Sequence, residues 1–378
     1  MALIFIILGV VLALLDTYVL MGVMPGARLW MKALFLLPSV VYLIVIGRLM
    51  AGDLRQWLLN LLFWLTLCVV VTTLLFCVFS LLGKGVALFW QPGFRVFNVL
   101  GLAVAAIWLG ISLYGIVYGW KKVTVEEVTV ASPKIPAPFK GYRIVQLSDF
   151  HIGTYAASPA TVSEIVDKVN SLKPDLIVFT GDLVNSSSRE IDEFKEVLGR
   201  LKATDGVYSV LGNHDYCLYR EYTAPDSPAK ELARVVDTES EIGWRMLRNE
   251  SVEIRRDGAS IALVGVDNAG SRMFPDNSNL PKAVKGLPAD EFKILLSHDP
   301  SHWRREVLPD SDIDLTLSGH THAMQFKIGN WSPSVWTYPE WGGMYTEGER
   351  RLYVSTGIGE NIAFRFGAYP QIVLLTLE

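Results

Sequence analysis

Residues 318–325 read "SGHTHAMQ" and follow directly on the apolar run "DLTL" at 314–317. A chain of 378 residues that owns six histidines places two of them here, one residue apart. A short apolar run that ends in ligating side chains is what a buried strand leaves when it runs out of a sheet into a loop. The same pattern occurs four more times. "YRIVQL" (142–147) runs into Ser148, Asp149, Phe150 and His151, and "DLIVFT" (175–180) into Gly181 and Asp182. "VYSVL" (207–211) runs into Gly212, Asn213, His214 and Asp215, and "KILL" (293–296) into Ser297, His298 and Asp299. Any one of these clusters alone reads as a helix cap or a turn. Together they put His151, His214, His298, His320 and His322 at strand ends, and only His302 stands apart.

Around these runs, polar-faced helical stretches near 158–172, 189–202 and 228–242 alternate with the strands, and "IALVGV" (261–266) adds another strand. That alternation is the mixed α/β signature, α/β of the α+β type, with helices packed outside a sheet. Ligands of open α/β sheets bind at the carboxyl ends of the strands, where the loops emerge. Upstream, "KKVTVEEVTV" (121–130) alternates as a strand with one wet face, followed by the proline-spaced connector "ASPKIPAPFKG" (131–141). The boundary is placed at 121, giving regions 1–120 and 121–378. "RLYVST" (351–356) and "QIVLLTL" (371–377) are expected to close a sheet edge or a second sheet.

The first region addresses a different solvent. The chain is 51% hydrophobic and 19% charged, with mean hydropathy +0.32, where a soluble domain carries about 25% charge. Residues 1–120 hold six Lys/Arg against two acids, a net of +4, while the remainder holds 28 against 36, a net of −8. Four apolar segments, 3–24, 29–47, 56–83 and 97–120, predict a multi-pass integral membrane protein, so the lipid bilayer is one partner. The second is the shortest: its unbroken core from Ala33 to Gly47 spans only about 22 Å, and Arg28, Lys32 and Arg48 would have to snorkel. With four spans both termini share a side. Arg48, Arg55, Lys121, Lys122 and Lys134 on that side outnumber Arg28, Lys32, Lys84 and Arg95 on the other, which predicts that the second region is cytoplasmic. Asp16 inside the first segment needs a partner, for which Asn60 is the candidate. Cys68, Cys77 and Cys217 form no disulfide framework.

Imidazole, carboxylate and carboxamide donors without thiolate suit Mn²⁺, Fe or Zn²⁺, and there are too many donors for one ion. Two ions bridged by one carboxylate use the inventory better. Gly319 is expected to permit the sharp turn that lets His320 and His322 reach one centre from two sides.

The blocks "DFH", "GD", "GNHD", a lone His and "GHTH", in this order, resemble the calcineurin-like metallophosphoesterase family over about residues 143–377. The resemblance implies two packed mixed β-sheets flanked by helices, and two divalent metal ions, with manganese the first choice. It implies that Asp149, His151 and His322 hold one ion, that Asn213, His298 and His320 hold the other, and that Asp182 bridges them. It also implies phosphoester hydrolysis by a metal-bridging hydroxide, with His214 outside the metal shell as acid or phosphate stabiliser and Asp215 orienting it. Where relatives often have glycines after "GHTH", this chain has Ala323 and Met324. An anchored enzyme of this kind suits an amphiphilic or lipid-linked phosphate, of which some members' diphosphate substrate, UDP-2,3-diacylglucosamine, is one candidate. Soluble nucleotides are the alternative substrate, a metal-dependent scaffold or receptor the alternative function, and a nucleic-acid partner is not expected.

Three further features stand outside these blocks. His302, Arg304 and Arg305 lie just past His298 and are candidates to grip a substrate phosphate, or equally the start of an ordinary amphipathic helix with a solvated basic face. Cys217 beside His214 is a rival nucleophile. The aromatic tract "NWSPSVWTYPEWGGMY" (330–345) fits an apolar pocket, a membrane-interface loop or a covered sheet edge.

Overall fold

The computed structural model describes residues 2–52, 55–156, 158–222, 224, 227–270 and 274–378. Backbone contacts divide the chain into two units. One holds Met1–Tyr118 with Ile362–Phe366, the other Gly119–Asn361 with Gly367–Glu378.

In the first unit four helices, Ile4–Val23, Leu29–Met50, Gln56–Val86 and Gly93–Lys121, are long and apolar enough to cross a membrane. The second helix is longer than its sequence suggests. It runs through Pro38 and on past Gly47 and Arg48 to Met50, and its 22 residues reach about 33 Å. Leu14, Leu34, Leu102 and Ile107 face outward with more than half their surface exposed, a pattern that suits hydrocarbon rather than water. Between the third and fourth helices the small residues make close approach possible. A Cβ on Gly83 would lie 2.6 Å from Phe97 Cβ, and one on Gly101 would lie 2.8 Å from Phe79 Cβ. A π-helical stretch, Thr66–Val71, interrupts the third helix, and Leu67 O there accepts from Trp108 Nε1 at 3.0 Å. Asn60 is not the partner of Asp16: its Oδ1 accepts from Gln56 Nε2 and from Ala363 N, both at 3.4 Å. Asp16 is buried and shares a cavity with Ser39 of the second helix instead. The segment Ile362–Phe366 packs with the helices through its backbone and its rings. Trp64 Nε1 donates to Ala363 O at 2.9 Å, and Phe364 and Phe366 meet Phe63 and Tyr114.

The second unit holds twelve strands among the described residues: β1 (Thr124–Val130), β2 (Arg143–Leu147), β3 (Leu176–Phe179), β4 (Val207–Ser209), β5 (Trp244–Met246), β6 (Glu250–Arg256), β7 (Ala259–Gly265), β8 (Lys293–Leu296), β9 (Leu315–Ser318), β10 (Gly343–Glu347), β11 (Arg350–Val354) and β12 (Gln371–Leu377). They form two six-stranded mixed sheets, ordered β1-β12-β2-β3-β4-β5 and β10-β11-β9-β8-β7-β6. In the first, β2 to β5 are parallel and β12 runs antiparallel to β2. In the second, β7, β8, β9 and β11 are parallel, flanked by antiparallel β6 and β10.

Side chains alternate across each strand, and the alternation makes the layers. Ile144, Leu176 and Val178 of the first sheet meet Leu263, Ile294, Leu296, Leu315 and Leu317 of the second in one buried cluster. The intervening Val145, Leu147, Ile177 and Phe179 point the other way, onto Val162, Ile165, Val166 and Val169 of the helix Pro159–Ser171 and onto Val235 of the helix Ser227–Glu241. The outer face of the second sheet is covered by Leu280, Trp303 and Val307. Gln146 on β2 ties the sheets where they end, its Nε2 donating to Ser318 O at 2.9 Å. Of the two alternatives for the last strands, neither closes an edge: β12 is an inner strand of the first sheet between β1 and β2, and β11 belongs to the second sheet, between β10 and β9. Edges are instead formed by β1, β5, β6 and β10, of which only β1 stands out in the sequence.

Candidate metal centre

Five strand ends deliver the site. Loops after β2, β3 and β4 bring Asp149, His151, Asp182, Asn213, His214 and Asp215, and loops after β8 and β9 bring His298, His320 and His322. These backbones turn hard. Asp149, His151, Asp182, His320 and His322 all have left-handed φ, at 52°, 45°, 60°, 76° and 50°. Non-glycine residues seldom sit there, and where they do the surroundings hold them. Asp149 N donates to Gly181 O at 2.8 Å, His151 N to Asp182 O at 3.1 Å, and Gly319 N to His298 O at 3.0 Å. Gly319, expected to permit the turn, is not itself left-handed. Its missing side chain leaves room for Ser148 and Asp149, with Ser148 Cβ only 3.0 Å from where a Cβ would stand.

The side chains converge into three overlapping groups: Asp149, His151 and His322; His151, Asp182 and His214; and Asp182, His298 and His320. Within each, the nearest nitrogen and oxygen donors lie within 4.8 Å of one another. Asp182 Oδ2 is 3.1 Å from His298 Nε2 and 3.7 Å from His151 Nε2, and its Oδ1 accepts from His214 N at 2.7 Å. His322 Nε2 is 3.4 Å from Asp149 Oδ1 and 3.1 Å from His151 Nε2, and His320 Nδ1 is 3.2 Å from His298 Nε2.

The donor set fits cations. His298 Nδ1 donates to Thr180 O at 2.8 Å, so in the neutral ring Nε2 carries the lone pair that faces His320 and Asp182. Asn213 Oδ1 is buried with no hydrogen-bond partner among the described residues, while its Nδ2 donates to Tyr219 Oη at 2.7 Å. A buried carboxamide oxygen left bare costs about 1–3 kcal/mol, which a coordinated ion would recover. No thiol joins the donors: Cys217 is buried, and burial together with the Asp215 carboxylate pushes its thiol far up, away from the thiolate a nucleophile needs.

Electrostatics divide the acids. Burial lifts the Asp149 carboxyl to about 6 against the pull of His298, and lifts Asp215 to about 6 with help from the Asp182 charge. Asp182 is held well below the usual range despite its burial, because His298, His214 and His151 surround it. Burial opposes charge on His298, but Asp182 and then Asp149 raise it to about 10, whereas burial drops His320 to about 4.

The outer residues depart from expectation. Asp215 does not orient His214. Its carboxylate accepts from Gly212 N, Asp182 N and Leu183 N, each at 2.8 Å, and from Val184 N at 3.3 Å, so it clamps the two loops that carry Asp182 and Asn213. His214 is held instead by Asn185, whose O accepts from Nδ1 at 2.6 Å, with Tyr219 stacked at 4.2 Å and Asn361 Nδ2 3.4 Å from Nε2. Tyr338 Oη meets His320 Nε2 at 2.7 Å. Tyr338 lies in the aromatic tract that the sequence marks, whereas Asn185, Tyr219 and Asn361 were not foreseen, because Asn185 acts through its backbone and the other two arrive from loops with no ligand pattern.

The three substrate candidates are engaged with partners outside the ligand groups. His302 is fully buried between Ser297 Oγ at 2.9 Å and Glu306 Oε2 at 3.0 Å. Arg304 pairs with Glu340 and Glu347, at 2.5 and 3.0 Å, and Arg305 donates to Ala269 O at 2.9 Å and lies 3.7 Å from Asp276. A π-helical turn, Trp303–Val307, fixes their directions, so their charges already have partners.

Comparison with known proteins agrees with this geometry. The calcineurin-like phosphoesterase family matches residues 142–324. A Danio rerio protein named transmembrane protein with metallophosphoesterase domain is 30% identical over 292 residues, covering 74% of this chain and 62% of the relative, so the chain spans about three fifths of that relative's length. The Bacillus subtilis (strain 168) metallophosphoesterase YkuE is 30% identical over 261 residues, covering 67% of this chain and 84% of the relative. UDP-2,3-diacylglucosamine pyrophosphatase LpxG of Chlamydia muridarum (strain MoPn / Nigg) is 27% identical over 294 residues, covering 64% of this chain and 85% of the relative. With five strand-end loops converging on one cage of imidazoles and carboxylates, and these relatives beside it, the chain belongs to the calcineurin-like metallophosphoesterase family.

Proposed function

We propose that the chain is a membrane-anchored, dinuclear-metal phosphoester hydrolase, with Asp149, His151 and His322 holding one ion, Asn213, His298 and His320 the other, and Asp182 shared. The position of Asp182 carries this reading: one carboxylate faces imidazoles of both groups, at 3.1 and 3.7 Å. Divalent ions, manganese first among them, would offset phosphoryl charge and supply an activated water. The chain's own residues do the rest. His214, with Nδ1 donating to Asn185 O, can when protonated donate from Nε2 to the phosphoryl oxygens or give that proton to the leaving oxygen. Asp215 and the left-handed loops keep the donors fixed before substrate arrives. The four apolar helices, and a relative named for cleaving a diacylated nucleotide sugar, support an amphiphilic phosphodiester or diphosphate as substrate. The Lys/Arg bias supports a cytoplasmic catalytic half.

The test is hydrolysis by the purified full chain of bis-p-nitrophenyl phosphate and of a diacylated UDP-sugar, with Mn²⁺ and after chelation. Chelation should abolish turnover and Mn²⁺ restore it, and His214→Gln should slow turnover by about 10²- to 10⁴-fold with metal content retained. Turnover indifferent to chelation would overturn the proposal.

A further inference from the structure

Directly after the last two histidines, the second unit exposes apolar side chains that its core does not use. Met324, Ile328, Trp331, Val335 and Trp336 are 46%, 56%, 42%, 41% and 77% exposed, all within thirteen residues of chain. They are held in one place. Ile328 and Trp331 exchange backbone hydrogen bonds at 2.9 and 3.1 Å, and the Trp331 and Trp336 rings meet edge to face at 5.7 Å. The buried Ser332 Oγ donates to Ala323 O at 2.6 Å, so the loop is fastened to the residue next to His322. On the other side Trp341 and Ala323 share a small buried cluster with Tyr338, whose hydroxyl meets His320 at 2.7 Å. A further fixed point is Gly367, with φ of 72°, where the Lys327 carbonyl comes so close that no side chain fits.

An ordered loop has no need of two exposed indoles, and large apolar side chains left exposed close together mark something they bind. Continuity with the site names the occupant: the patch begins two residues past His322 and is braced through Tyr338 to His320, so a ligand whose phosphate sits at the imidazoles would present its other end here. The exposed residues are aromatic and aliphatic and match hydrocarbon rather than a sugar or a base. We propose that the loop of residues 324–336 is the platform for the hydrocarbon chain of the phosphoester substrate and sets the preference for amphiphilic over short esters. The inference rests on the hydrolase reading above and assigns specificity to residues outside the metal cage.

The test compares p-nitrophenyl methyl phosphate with p-nitrophenyl dodecyl phosphate, esters with the same scissile bond, supplied as monomers to the detergent-solubilised full chain with Mn²⁺. The wild type should favour the dodecyl ester in kcat/KM by at least about tenfold, chiefly through KM, since each buried methylene contributes about 0.8 kcal/mol before losses. The Trp331→Ser/Trp336→Ser variant should bring the ratio close to one with its melting temperature within a few degrees of wild type, and Trp336→Leu should keep it. Equal kcat/KM for the two esters in the wild type would overturn the inference. So would a preserved ratio in the double serine variant, which would assign the patch to the bilayer surface. Hydrolysis of neither ester by the wild type would overturn the hydrolase reading itself and is thereby distinct from failure of the platform.

Discussion

Asp215 shows how much a single carboxylate can do without touching substrate. Four backbone N–H groups from two loops converge on it, so Asp215→Asn replaces one acceptor oxygen by an NH₂ aimed at donors. The variant should lose about 2–3 kcal/mol of stability, read by denaturant unfolding, and bind metal more weakly although no ligand is changed. His298 makes metal binding pH-dependent. In the metal-free chain Asp182 holds it protonated up to about 10, so an ion must displace that proton, and affinity should rise roughly tenfold per unit between pH 7 and 9. Calorimetry in buffers of different ionisation enthalpy measures the proton released; a pH-independent affinity would contradict the arrangement. Glu239 works in the opposite sense. Burial lifts its carboxyl to about 8, above the unfolded value, so its contribution to stability is full below the unfolded pKa and is lost as pH rises through about 8. Glu239→Gln keeps the hydrogen bond from Ser209 and should raise the melting temperature at pH 8.5 while leaving it near wild type at pH 4.

At the scale of elements, the strands were legible because their chemistry is local. "YRIVQL", "DLIVFT" and "DLTL" are apolar on both faces, which only a strand covered on both sides requires, and the ligand blocks mark where each ends. What the sequence hides is pairing. β12 looks like a terminal strand but inserts between β1 and β2, and β5 and β6 are short or half-polar edge strands whose existence depends on a neighbour. Arg304 and Arg305 looked like phosphate grips because the sequence shows their charge and not the turn that aims them at Glu340, Glu347 and Asp276. Gly319 was singled out for the wrong reason: the turn is taken by His320 and His322, and the glycine gives room to Ser148 and Asp149. Gly319→Ala should therefore force β9 away from β2, lowering stability by about 1–3 kcal/mol and metal content with it. Gly258→Ala has open space around it and should leave the metal content at the wild-type level despite its positive φ.

The whole molecule joins two solvents in one chain, and the apolar excess of residues 1–120 makes that division plain in the sequence. The return of Ile362–Phe366 to the helices does not announce itself, since "IAFRF" has neither the length of a span nor the spacing of a strand. In membrane vesicles of known sidedness, protease should cut the catalytic half in inside-out vesicles and spare it in right-side-out ones, as a cytoplasmic orientation requires. The central claim, a cage for two cations, is tested most directly by elemental analysis of the purified full chain equilibrated with Mn²⁺ and freed of excess. The account predicts about two ions per wild-type chain and fewer than one in Asp182→Asn, with turnover lost in parallel. A wild-type chain that hydrolyses phosphoesters with one ion or none, or an Asp182→Asn chain that keeps two, would contradict it.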